Sequence, residues 1–210
     1  GFFYANDASE VQHGMCEAGI AFIFSGAKYG VMGAQHYRYD NDNAILVNAR
    51  YPVAYHIEAT PAAPLLGMYI TISRNEVAQF FDDLAQIQPA SGWAQSKVEE
   101  SAPIAVCPLN NDIREAVWML LRTLDDPMKA SLFGAAHIRA ILYAVYASGS
   151  TDAQNAMHRW VQQDGAFAQL QKATQYIQHH YARAMTLSEL TSHVGMSASS
   201  LNRCFQRYVA

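Results

Sequence analysis

At Ser73 the hydrophobic period of the chain changes, and that switch separates what can become sheet from what can become helix. Before it, up to about Thr71, short runs rich in aromatic and β-branched residues (20–24, 29–32, 44–47, 53–58 and 65–72) are separated by Gly, Asn, Asp and Pro. Several short strands punctuated by turn residues predict a sandwich or a barrel. Residues 39–43, Tyr-Asp-Asn-Asp-Asn, read as a turn on chemical grounds, because Asx side chains bond their own backbone and tolerate left-handed conformations. Proline cannot donate into a ladder, so Pro52, Pro61 and Pro64 mark strand starts or loops.

After the switch the spacing is that of helices. Ser73 with Glu76 matches a capping box and Ile72 with Val77 a hydrophobic staple, which predicts a helix from Arg74 to about Leu84. Residues 86–108, with Pro89, Gly92, Pro103 and Pro108, show no clear period and read as linker. Two amphipathic helices follow. Ile113, Val117, Leu120, Leu121 and Leu124 line one, which Asp125-Asp126-Pro127 ends; Ile138, Ile141, Leu142 and Val145 line a second, over 132–147. Their apolar stripes serve either as core within the domain or, in part, as a homodimer face through helices 112–124 and 132–147. Residues 148–152 read as a breaker, and 154–161 as a short helix or connector.

The most specific signal lies between Phe167 and Tyr208. A helix with apolar positions Leu170, Ala173, Ile177 and Tyr181 is followed by Thr186, which can cap a second helix with Glu189 completing the box and Met185 and Leu190 as its staple. That helix stops at Gly195, the residue type that takes a positive backbone angle without strain. Ser197 then caps a third helix in which Leu201 and Phe205 face inward. Two short helices across a tight glycine turn form the geometry that aims one of them at a major groove. The outward positions, Ser197, Ser199, Ser200, Asn202, Arg203, Gln206 and Arg207, are suited to it: arginine pairs with guanine edges, Asn and Gln with adenine, hydroxyls and arginine with phosphate. The plainer alternative is a helical hairpin with a solvated polar face.

These residues carry a family resemblance. The run TLSELTSHVGMSASSLNRCFQRY resembles the first helix-turn-helix of the AraC/XylS transcription regulators, with its Thr-Leu-x-x-Leu start, Gly-Met-Ser turn and Leu-x-x-x-Phe third helix. IQHHYARAM resembles the helix that precedes it in that family, and Thr191 departs from the usual alanine. Upstream, AFIFSGAKYGVMGAQHYRYDNDNAILVNARYPVAYHIEATPAAPLLGMYITIS is similar to the effector domain of one branch, and HIRAILYAVYAS to that branch's late helix. The resemblance implies an α+β chain: a cupin-like β-barrel with C-terminal helices over 1–150, a linker over 151–165, and over 166–210 part of an all-α helix-turn-helix module. It also implies sequence-specific binding to double-stranded operator DNA under the control of a small-molecule effector. Family members carry two helix-turn-helix units, whereas this sequence ends after the first, so the 210 residues alone are expected to bind DNA weakly or not at all and the intact regulator specifically.

Charge fits two units. The net charge is −4, yet residues 166–210 hold Lys172, Arg183, Arg203 and Arg207 against Glu189 alone, 4 − 1 = +3, leaving the rest at 10 − 17 = −7. Cys16, Cys107 and Cys204, odd in number and without CxxC spacing, read as reduced thiols of a cytoplasmic protein. No stretch reads as a membrane span or signal segment.

A cupin-like barrel also raises a metalloenzyme alternative. The sequence lacks the His-x-His pair that would set two imidazoles on one strand face; His36 and His56 could converge but have no third ligand, so no metal, cofactor or catalytic residue is assigned. No nucleophile elbow, phosphate loop, HExxH or dinucleotide fingerprint occurs, and the chain reads as a regulator rather than an enzyme. Candidate effector-binding residues are Phe22, Phe24, Tyr37, Tyr55, His56, Met68 and Ile70, chosen as aromatic or soft side chains on strands, any one of which could equally be plain core.

Overall fold

A computed structural model describes residues 1–32, 35–87, 104–162 and 165–208; most of the linker-like stretch, 88–103, lies outside the described residues. The alternating half becomes eight strands: β1 (Phe2–Ala5), β2 (Gln12–Cys16), β3 (Gly19–Ser25), β4 (Ala27–Met32), β5 (Gln35–Tyr39), β6 (Asn43–Val47), β7 (Tyr51–Glu58) and β8 (Leu65–Thr71). A ninth, β9 (Ile104–Pro108), comes from the stretch read as linker and pairs with β6 from Asn43↔Pro108 to Val47↔Ile104. Pro108 closes it at the edge of the sheet, where a strand tolerates proline.

The strands form two antiparallel sheets, β1-β8-β3-β6-β9 and β2-β7-β4-β5. No ladder joins one sheet to the other among the described residues, so the expected closed cupin-like barrel is corrected to an open two-sheet sandwich. The expected turn after Tyr39 explains why. The Asp42 N–H donates to the Asp40 carboxylate (3.0 Å), and this Asx turn carries the chain from β5 in one sheet to β6 in the other instead of pairing them as a hairpin. Pro52 sits in β7 facing Met15 of β2, at the end where β4, which pairs only from Ala54 onward, is not its neighbour.

Strand parity then decides two cores. In the first sheet Ile20, Phe22, Ala44, Leu46, Met68 and Ile70 point one way and are buried with the helices. Ala21, Ile45 and Val47 point the other way, into the sandwich, with Tyr69. Gly19 permits this packing, since a Cβ there would lie 2.6 Å from the Tyr69 ring.

The helices covering the first sheet are α1 (Arg74–Ile87), α2 (Asn111–Thr123), α3 (Pro127–Ala147) and α4 (Thr151–Val161). The capping box at α1 forms as the sequence predicts: Ser73 N–H donates to Glu76 (2.7 Å), Glu76 N–H to Ser73 Oγ (3.2 Å), and Ile72 and Val77 are both buried. The Asp-Pro pair read as a stop for α2 also starts α3, five residues before the expected 132: Asp126 accepts from the Met128 and Lys129 N–H groups, with Pro127 in the first turn. The segment 151–165 opens with α4, whose Ala153, Ala156, Met157 and Trp160 are fully buried in the main core, so this part is a core helix and not a linker; 163–164 lie outside the described residues. α3 has the length and mean hydropathy to cross a bilayer, and its Ile141, Leu142, Ala144 and Val145 are buried in the fold.

Three further helices follow among the described residues: α5 (Gly165–His180), α6 (Leu187–Val194) and α7 (Ala198–Tyr208). They share a small core of Ala173, Leu190, Val194 and Leu201.

Candidate functional site

Between the two sheets lies a chamber of about 240 Å³ to which all nine strands contribute. From the first sheet come Phe3, Ala21, Ile45, Tyr69 and Ile104. From the second come Cys16, Lys28, Tyr37, Tyr39, Val53 and Tyr55. Inward parity on each strand selects these residues, and the result is an apolar, ring-rich enclosure with few polar atoms.

Among the described residues Lys28 supplies the chamber's one charge. Its Nζ sits 3.8 Å from the centroid of Tyr55 and 5.4 Å from that of Phe3, and burial lowers its pKa. Cys16 donates to the Tyr69 hydroxyl (3.4 Å), which in turn donates to the Glu17 carbonyl. Burial raises the Cys16 thiol and the phenols of Tyr39 and Tyr69, and pushes Tyr37 up to about 12, so all four are neutral at physiological pH.

Of the seven residues nominated as effector contacts, Tyr37 and Tyr55 line the chamber. Phe22, Met68 and Ile70 have the opposite parity and are buried against the helices. Phe24 follows the same parity to the end of β3, where the register slips between Ile23 and Ser25, and is 36% exposed. His56 lies on the outer face of its sheet, stacked on Tyr29 at 4.7 Å. Sequence reasoning missed Lys28, Tyr39 and Tyr69. The signal that finds them is strand parity: Tyr69 alternates with Met68 and Ile70, and Lys28 is the cross-strand partner of Tyr39. His36 is exposed on β5, no histidine lines the chamber, and no group of three metal-ligating side chains occurs among the described residues.

At the other end of the chain, Thr186 accepts from the Glu189 N–H (3.2 Å) while Glu189 accepts from the Thr186 N–H (3.1 Å). α6 ends at Gly195 with φ 67°, and Ser197 Oγ accepts from the Ser200 N–H (3.2 Å) at the start of α7. Leu201 and Cys204 are buried under α7, whereas Ser197, Ser199, Asn202, Arg203 and Gln206 are exposed and Ser200 is half-buried. The side chain of Arg207 lies outside the described residues. α7 thus offers a polar, cationic face away from its own support.

A family model described as the AraC-type transcriptional regulator N-terminus matches residues 1–153, which span the sandwich and α1–α3. The chain belongs to that family. No curated protein matches it significantly. Among solved structures it is similar to an apo ToxT variant from Vibrio cholerae strain SCE256 (TM-score 0.58, 9% identity, covering 99% of this chain and 75% of that one). It is also similar to wild-type ToxT of the same strain bound to an unsaturated fatty acid (0.51, 10% identity, 98% and 73%). At such identities the likeness is one of fold.

In this AraC-type chain the chamber and the last three helices share a wall. Ala49 and Tyr51 of the sandwich are buried with Leu170 of α5 and Cys204 of α7, and Tyr37, Val53 and Ile104 pack against that cluster while also lining the chamber. Arg50 reinforces the seam, ion-paired with Glu17 at 2.9 Å and donating to the Gln178 side-chain oxygen of α5 at 3.3 Å.

Proposed function

We propose that this AraC-type chain is a cytoplasmic, effector-controlled transcription regulator that binds double-stranded operator DNA through α7 and senses a small molecule in the chamber between its sheets. The observation that carries the reading is the two-sidedness of α7, with Leu201 and Cys204 packed beneath and Asn202, Arg203 and Gln206 exposed above a capped, glycine-turned support. Residues at the start of such a helix reach base edges, and hydroxyls there reach phosphate. That ToxT has been crystallised with a fatty acid supports reading the N-terminal unit as a sensor. The sandwich and helices 1–150 would then sense, and α5–α7 within 166–210 would read.

The test is enrichment of duplexes from a random library by the natural protein, followed by titration of the Arg203→Ala variant. One recognised sequence should emerge, and the variant should lose about 1–3 kcal/mol while relaxing selection at one base pair. Retention of every library member equally, or an unchanged Arg203→Ala, would remove the reading.

The same reading takes the exposed apolar residues of α2 and α3 as a homodimer face. Trp118 (59% exposed), Met128 (73%), Leu132 and Phe133 favour it, since an apolar face of this extent on one helix pair marks an association surface. Sedimentation of Leu132→Glu against the natural protein checks it: the variant should move from dimer to monomer.

A further inference from the structure

The ammonium of Lys28 stands at an inward position of β4, where the parity of the sandwich calls for an apolar side chain. It has three donors and, among the described residues, only ring faces to meet them: no ion pair or hydrogen bond is formed by Lys28, and no acidic side chain lines the chamber. A charge partly removed from water without a counter-charge is costly unless something else supplies one. Its direct cross-strand partner is Tyr39 of β5, so the two side chains project side by side from one sheet face. Tyr39 is half-buried on the chamber wall, and its hydroxyl makes no hydrogen bond to the described residues. One cation and one phenol O–H, adjacent and both unanswered, form a two-point receptor for a single anionic group.

The rest of the enclosure sets the size and character of whatever carries that group. Ile45, Val47, Val53 and Ile104 form apolar wall, and Phe3 and Tyr55 present rings. A cavity of about 150 Å³ takes one benzene ring, so 240 Å³ accommodates roughly ten non-hydrogen atoms. That is the size of an aromatic ring bearing a short acid side chain, and well below that of a long fatty chain. A dianion would exchange one uncompensated charge for another.

Resting on the reading of the chamber as the effector site, we propose that its ligand is a compact monocarboxylic acid with an aromatic or branched apolar body, held through its carboxylate by Lys28 and Tyr39. Titration calorimetry on the natural protein with benzoate, phenylacetate and cinnamate, each beside its neutral amide, tests this. At least one acid should bind, with its amide at least tenfold weaker. In Lys28→Met, which keeps length and removes charge, the preference should vanish or invert, and Tyr39→Phe should weaken the acid severalfold. Should Lys28→Met fail to fold, the acid-to-amide ratio in the natural protein and the Tyr39→Phe titration still decide.

Equal binding of acid and amide, or an acid that binds Lys28→Met as well as the natural protein, overturns the proposal while leaving the chamber as a sensor. So does binding of amides without acids. If none of the six compounds binds, both the acid proposal and the effector-chamber reading fall.

Discussion

Tyr51 is the largest buried side chain that the sandwich sets against α5 and α7, and truncating it weakens that contact. Its ring is 97% buried (3% exposed) beside Leu170 and Cys204. Removing a buried aromatic side chain costs about 3–5 kcal/mol, through lost transfer energy and the cavity left behind. If about 3 kcal/mol of that is specific to the seam, opening of α5–α7 becomes roughly a hundredfold more frequent in Tyr51→Ala. Native-state hydrogen exchange reads this directly: amides of α5–α7 should exchange about a hundredfold faster, while those of β3, β6 and β8 change little. Leu170→Ala removes the opposite side of the same contact, so the double variant should cost less than the sum of the singles by about 0.5–3 kcal/mol. Additive costs, or an equal rise in exchange through sandwich and helices, would refute the idea that the seam is a separable contact.

Three further outcomes test the structural argument. Trp160→Ala should lower stability by about 3–5 kcal/mol in denaturant titrations, because the side chain is fully buried in a helix whose sequence reads as a short helix or connector. Gly195→Ala should destabilise α6–α7 by about 1 kcal/mol, seen as a lower helical signal on melting; an added methyl meets nothing within 4 Å, so the cost is that of holding φ at 67°. Burial against Phe81 (4.6 Å between rings) lowers the pKa of His158 from 6.5 in the fold. The unfolded chain therefore takes up the proton first as pH falls through 6.5, and that stability, fully present above 6.5, is lost down to the folded value. Thermal midpoints should drop between pH 7 and 5.5, and His158→Phe should flatten that slope.

Local chemistry was legible in the sequence wherever it acts over three or four residues. The capping boxes at Ser73–Glu76 and Thr186–Glu189, the Asx turn at Asp40 and the left-handed Gly195 all form where the side chains dictate. What depends on which face of a strand meets which layer was not legible. Phe22 and Tyr69 are both aromatic, both on strands and both good candidates for a ligand wall; a difference in parity relative to their neighbours sends one to the helices and the other to the chamber. β9 was hidden for a related reason: it is a five-residue edge strand that ends on a proline, and only its pairing with β6 makes it a strand. α4 carries small residues at its buried positions, Ala153 and Ala156, which give a weak hydrophobic period although they pack closely.

The open form of the sandwich matters to how a sensor of this kind could transmit a signal. A closed barrel would seal its contents behind a continuous ladder, and occupancy would be felt outside only through backbone shifts. Here β5 and β9 are edge strands of different sheets, and the side chains at that opening, Tyr37 and Ile104 with Val53 beside them, touch the chamber on one side and the Tyr51–Leu170–Cys204 cluster on the other. Packed interiors do not deform continuously, so a ligand that fixes these three side chains in one arrangement biases how α5 and α7 sit upon them. The bias cannot exceed the ligand's difference in affinity between the docked and released arrangements, and under the proposed function DNA held by α7 would change ligand affinity by the same factor. Coupling by this route therefore disappears in Tyr51→Ala even when ligand binding and DNA binding, each measured alone, survive.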